Sequence, residues 1–282
     1  MVAGCAGFAV MMVCVRAVSV ELHPFVAAFW RNVLGLMFMM PWIVRVGPQA
    51  LRSDRWPMHG LRASLGLAAM LFLFTALSRM PVAEATALTF TAPLFATIGA
   101  VLFLGERVRI RRWSATIIGF VGALIILRPG VATVQPAAFL ALTAAAFMAM
   151  AMLTIKSLSR TENPNVIVVV MGLLMTPGSF VPAAFVWSWP SAGTWTLLIL
   201  MGLAATCGQI GLTRAFAATD ASAVLPFDFS RLIFVAALGY LLFDEVPDIW
   251  TWVGAAVIVT ATVYIARREA RLGRPTQPVD VH

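Results

Sequence analysis

TFTAPLFATIGAVLFLGE at residues 89–106 and DFSRLIFVAALGYLLFDE at residues 228–245 decide how this chain is built. Laid on one another, they pair Phe90 with Phe229, Phe95 with Phe234, Leu102 with Leu241 and Glu106 with Glu245; further on, Trp113 meets Trp252. At nearly the same displacement of about 140 residues, Arg16 meets Lys156 and Pro24 meets Pro164. Aligned polar and aromatic landmarks are harder to obtain by chance than aligned leucines. The chain therefore reads as a duplication, with one repeat over 1–130, a second over 131–267 and a basic, polar tail over 268–282.

The solvent of these repeats is lipid. Of 282 residues, 61% are hydrophobic and only 11% charged, and the mean hydropathy is +0.92. A soluble domain carries about a quarter of its residues as charges, so a cytosolic enzyme, a secreted disulfide scaffold and a disordered chain are all excluded. Cys5, Cys14 and Cys207 lie in apolar stretches and act as small hydrophobes. His23, His59 and His282 are scattered without ligand spacing, so neither metal nor cofactor is expected. The net charge of +8 suits loops facing anionic lipid, and no nucleic-acid partner is expected.

Apolar runs punctuated by turn residues give ten spans: 2–20, 25–44, 60–78, 83–104, 112–128, 136–155, 165–187, 194–213, 221–243 and 249–266. In lipid each run must satisfy its own backbone, and none shows the period of two that a barrel needs, so all ten are helices. With the loops assigned alternately to two sides, fifteen of the twenty Lys and Arg fall on one: Arg45, Arg52, Arg55, Arg62, Arg107, Arg109, Arg111, Arg112, Lys156, Arg160, Arg214, Arg267, Arg268, Arg271 and Arg274. That side is cytoplasmic by the positive-inside rule, so both termini are expected inside the plasma (bacterial inner) membrane. The first span begins at Met1 without a basic leader, so no signal peptide is expected. The polar residues after Ala266 read as a disordered end.

Five spans per repeat is an odd number, so the second repeat enters the membrane upside down. The loops agree: Arg107, Arg109, Arg111 and Arg112 follow the fourth span, whereas Asp244, Glu245 and Asp248 follow the ninth. The fold class is thus an all-α membrane protein of ten transmembrane helices in two inverted five-helix repeats. Inverted repeats place a binding site near the midplane at their interface, reached alternately from each side.

ATALTFTAPLFATIGAVLFLGERVRIRRWSATIIGFVGALIILRPG (85–130), SAVLPFDFSRLIFVAALGYLLFDEVPDIWTWVGAAVIV (222–259) and FWRNVLG (29–35) resemble the EamA-type repeats of the drug/metabolite transporter superfamily. The resemblance implies a central cavity lined mainly by spans 1, 3, 4, 6, 8 and 9, and peripheral spans 5 and 10 that support a homodimer. It implies a secondary transporter of a small-molecule metabolite or drug, working by alternating access. The rival classes are a channel, which needs rings of like charge or a filter loop, and a lipid-modifying enzyme, which needs clustered carboxylates or a reactive histidine. The sequence shows neither.

A charge at the bilayer centre costs about 2.5 to 3.5 kcal/mol, so each one needs a reason. Asp228 and Arg231 are three apart on the ninth span, with Arg231 near the midplane. They are either a neutralising pair or a substrate anchor. Repeat symmetry puts Thr89 and Ala92 at the equivalent places, so the fold does not demand the charges. Phe227, directly after Pro226, is a candidate cavity wall, together with Phe90 and Met152. Gln209 with Thr206 and Thr213 forms a polar stripe beside Gly208 and Gly211, suited to helix contact or cavity lining alike. Arg31 reads more readily as a snorkelling or loop-binding arginine than as a ligand, though it stays a candidate. Glu84, Glu106 and Glu245 read as structural, and Ala115, Gly119 and Ala123 as a helix-contact ridge.

Overall fold

The computed structural model describes residues 2–47, 53–104, 110–128, 135–218 and 228–272. These hold eleven helices: α1 (Val2–Val18), α2 (Pro24–Val46), α3 (Trp56–Leu77), α4 (Val82–Thr89), α5 (Ala92–Leu104), α6 (Ile110–Leu127), α7 (Pro136–Leu158), α8 (Pro164–Ala184), α9 (Ala192–Ala218), α10 (Ser230–Phe243) and α11 (Ile249–Leu272). Six stretches are long and apolar enough to cross a membrane, one of them running through α4 and α5, and four shorter apolar helices complete ten spans.

The helix starts repeat as the sequence does. Proline opens both α2 and α8, where a missing N–H costs nothing. The residue before each proline is the cap: His23 Nδ1 accepts from the Phe25 amide at 3.3 Å, and Asn163 Oδ1 from the Asn165 amide at 2.9 Å. On one face of the bundle the Glu21 carboxylate accepts from the Ser191 amide (2.6 Å), its hydroxyl (2.8 Å) and the Thr194 hydroxyl. On the other face Glu162, one residue from the matching place in the second repeat, accepts from the Ser53 hydroxyl at 2.5 Å. The two latches sit at opposite ends of the bundle because the repeats are inverted.

Helix pairing obeys the same symmetry. α1 packs on α9 and α7 on α3, which exchange under the repeat, while α2 with α8 and α6 with α11 pair across the pseudo-axis. Glycines let the first pair approach closely. A Cβ on Gly7 would lie 2.7 Å from the Ala204 carbonyl oxygen, and one on Gly4 would touch the Gly211 backbone. Gly119 accommodates Leu94, and the buried Ala115 and Ala123 continue that contact ridge.

Three boundaries differ from the sequence reading. The fourth span is broken between Thr89 and Ala92: Pro93 supplies no amide, and the Thr86, Thr89 and Thr91 hydroxyls bond carbonyls three or four residues back. The last helix continues to Leu272, because Arg267 to Leu272 are good helix formers. Arg62 is not a loop charge but lies inside α3, 5% exposed. The beginning of the ninth span, with Pro226 and Phe227, and the loop holding Glu106 lie outside the described residues.

Candidate functional site

The break in the fourth span and the start of α10 meet at the pseudo-axis. Phe90 and Phe229, equivalent in the two repeats, touch edge to face with ring centroids 4.9 Å apart. Two residues on, the Arg231 guanidinium lies 5.3 Å from the centre of the Phe90 ring and 5.9 Å from that of Phe8. Its Nη2 donates to Asp228 Oδ2 at 3.1 Å and, more weakly, to the Thr89 hydroxyl at 3.5 Å. The Cys5 thiol donates to the other Asp228 oxygen at 3.8 Å. Among the described residues the Arg231 Nε has no hydrogen-bond partner, so the side chain is fixed while offering a donor.

Arg231 and Asp228 form one wall of a cavity of about 810 Å³, counting the part open to solvent. α1, α2, α3, α7, α8 and α9 supply the rest. Seven methionines line it: Met11, Met12, Met70, Met148, Met152, Met171 and Met175. Phe8, Phe74 and small residues such as Gly66 and Ala151 fill the gaps, and Arg31, Arg62 and Gln209 are the remaining polar groups. A thioether wall is deformable and makes favourable contacts with aromatic rings, so the cavity suits a flat, partly polar guest. A smaller adjoining pocket holds Thr89, Phe90, Ala92, Pro93 and Phe229, and shares Met148, Met152, Asp228 and Arg231 with the cavity.

The structure therefore brings Asp228, Arg231, Gln209, Arg31 and Met152 to one cavity and Thr89 and Phe90 to its side pocket, while Phe227 lies outside the described residues. The fourth span reaches only the side pocket, and the second and seventh spans join the lining through Arg31, Met171 and Met175. Among the described residues Arg31 neither snorkels nor binds a loop carbonyl: it is 7% exposed and donates to the Asn32 carboxamide oxygen at 2.8 Å. The polar stripe of α9 divides its tasks. Thr206 bonds the Gly202 carbonyl, while the buried Gln209 Oε1, beside the cavity, has no hydrogen-bond partner among the described residues. Sequence reasoning missed Arg62 among the described polar lining residues, and most of the methionine and phenylalanine lining; for Arg62, Gly66, one turn later on the same face, is the signal that could have found it.

At one end of the bundle a clasp joins the two repeats. Arg16 Nε pairs with Glu245 Oε1 at 3.3 Å and its Nη1 donates to the Ser78 carbonyl at 2.9 Å, while Glu245 Oε2 accepts from the Val82 amide at 2.9 Å. Glu245 thus holds loop groups, as its place at the end of a repeat's fourth span suggests. Arg128 and Asp248 pair on the same face.

The EamA-like transporter family matches this chain twice, over residues 1–128 and 135–267. The chain belongs to that family. A riboflavin transporter of Rhizobium johnstonii is 38% identical over 251 residues, covering 88% of this chain and 82% of the relative. Another from Vibrio cholerae is 36% identical, covering 86% and 82%. An S-adenosylmethionine uptake transporter of Rickettsia bellii is 31% identical, covering 91% and 88%. A solved crystal structure shares the fold with a TM-score of 0.62 over 96% of this chain and 99% of its own, at 18% identity. The EamA resemblance of the two motifs is borne out, and this family member is an integral, multi-pass membrane protein that transports small metabolites.

Proposed function

We propose that the chain carries a flavin-like metabolite, a flat aromatic ring system with a polar chain, across the plasma membrane by alternating access. The cavity between the repeats is the observation that carries this reading. It lies between the repeats and is lined by apolar side chains with a few placed polar groups, as small-molecule sites are. Methionine and phenylalanine walls suit the faces of a fused ring system, and Arg231, already stacked between two rings, can stack on a third. Asp228 and Thr89 hold Arg231 in place, while the Gln209 Oε1 offers an acceptor to a ring N–H. The riboflavin transporters among the relatives point the same way.

A second reading, S-adenosylmethionine, is favoured by the relatives of that name. Charge argues against it, because three arginines and one carboxylate among the described lining residues make a poor seat for a sulfonium cation. The arginine count supports both termini lying in the cytoplasm; in this reading the two repeats (1–130 and 131–267) rock against each other, and α6 with α11 offers a lipid-side face for a second copy. The test is uptake of labelled riboflavin and of labelled S-adenosylmethionine by cells expressing the chain. Saturable riboflavin uptake, competed by excess unlabelled riboflavin and not by S-adenosylmethionine, is expected. Saturable uptake of S-adenosylmethionine alone would replace the flavin by the second reading.

A further inference from the structure

Arg31 and Arg62 face the same cavity and are buried to 7% and 5% exposure. Arg31 is held by a neutral relay: it donates to Asn32 Oδ1, and Asn32 Nδ2 donates to the Ser179 hydroxyl at 3.1 Å. Arg62 makes no ion pair or hydrogen bond with any described residue, and the Nε atoms of both arginines lack partners. The direction of Arg62 matters most. Helical side chains lean toward their own N-terminus, and an arginine close to a membrane face runs to that face. Both habits would take Arg62 out toward the start of α3. Instead its Nη1 lies 2.3 Å from where a Cβ on Gly66 would be, one turn further into the bundle. The side chain runs inward along a groove that only glycine leaves open.

Two buried guanidiniums with no carboxylate partner among the described residues are costly to keep. We infer that Arg31 and Arg62 form an oxyanion subsite, and that the cargo carries a phosphate or carboxylate which these two arginines grip while its apolar body lies against the methionines. The planar forks of arginine match either group. This rests on the cavity being the cargo site, and it narrows the cargo from flavins in general to acidic ones.

The test compares riboflavin, carboxymethylflavin and riboflavin 5′-phosphate by quenching of tryptophan fluorescence in the purified protein. Wild type is expected to bind at least one acidic flavin about tenfold or more tightly than riboflavin, a difference of about 1.4 kcal/mol. In Arg62→Met the ratio should fall to near one, and in Arg62→Lys, which keeps the charge but not the fork, it should be intermediate. Ligand-free Arg62→Met should melt no lower than wild type, since no protein group loses a partner. A lower melting temperature would reveal such a partner and overturn the inference, as would a ratio near one in wild type or an unchanged ratio in Arg62→Met. Gly66→Ala, which displaces the guanidinium while keeping it, should lower the ratio as well. Should no flavin quench, the flavin reading fails by itself. The subsite is then read from melting temperature in sodium pyrophosphate against sodium chloride at equal ionic strength: a rise in wild type that Arg62→Met abolishes supports it, and no rise overturns it.

Discussion

Arg231 and Asp228 show how a charge in lipid is made tolerable: each has the other, two rings flank the cation and a thiol supports the anion. Removing one partner strands the other, at about 3 to 5 kcal/mol for a buried pair. Asp228→Asn should therefore reduce accumulation of folded protein. The first repeat carries Thr89 and Ala92 at these places, so the double change Asp228→Thr with Arg231→Ala should fold and insert yet lose transport. Unchanged flux in that well-expressed double variant would make the pair structural only. His23 gives a second residue-level prediction. Burial, with a smaller effect of Arg79, holds its imidazole below the ordinary value of 6.5, and its neutral Nδ1 caps α2. A lowered folded-state value means the cap is intact above the ordinary value and is lost as pH falls through the folded one. Wild type should lose more thermal stability between pH 7 and pH 5 than His23→Asn, by up to the worth of a cap, about 1 kcal/mol; equal losses would contradict this. The sequence identifies Asp228 and Arg231 because they stand in an unbroken apolar run. It hides Arg62, because an arginine near a span's end looks like a loop charge until the backbone shows which way it leans.

At the scale of helices, the glycines fix which spans may touch. A side chain on Gly7 meets backbone, not a movable side chain, so Gly7→Val should force α1 from α9 and cost about 1 to 3 kcal/mol. Thermal unfolding of the variant in detergent measures this, and a melting temperature equal to that of wild type would show that the contact is not required. Span existence is legible because apolar length and proline punctuation are properties of the run itself. The break at Thr89 to Ala92 is only half legible: Pro93 marks it, but the three threonine hydroxyls that stabilise the carbonyls there become meaningful once the helix is seen. The Arg16–Glu245 clasp is less legible still, since its partners on α1, α4 and the end of α10 are brought together by the inverted assembly alone.

For the whole molecule, inversion is the property that the sequence states most plainly, through an odd number of spans and opposite loop charges after equivalent helices. With Cys5, Cys14 and Cys207 replaced by alanine, an impermeant thiol reagent should label Val246→Cys but not Asp54→Cys in intact cells; the opposite pattern would reverse the orientation. The central claim is that the cavity between the repeats carries a flavin alternately to the two sides. Counterflow in proteoliposomes tests it most directly: vesicles loaded with unlabelled riboflavin or riboflavin 5′-phosphate are diluted into a trace of the same labelled compound. Transient accumulation of label above equilibrium, present in wild type and absent in the Asp228→Thr, Arg231→Ala double variant, is the predicted result. Label that only equilibrates, without overshoot and without saturation, would mean a channel rather than a carrier and would contradict the account.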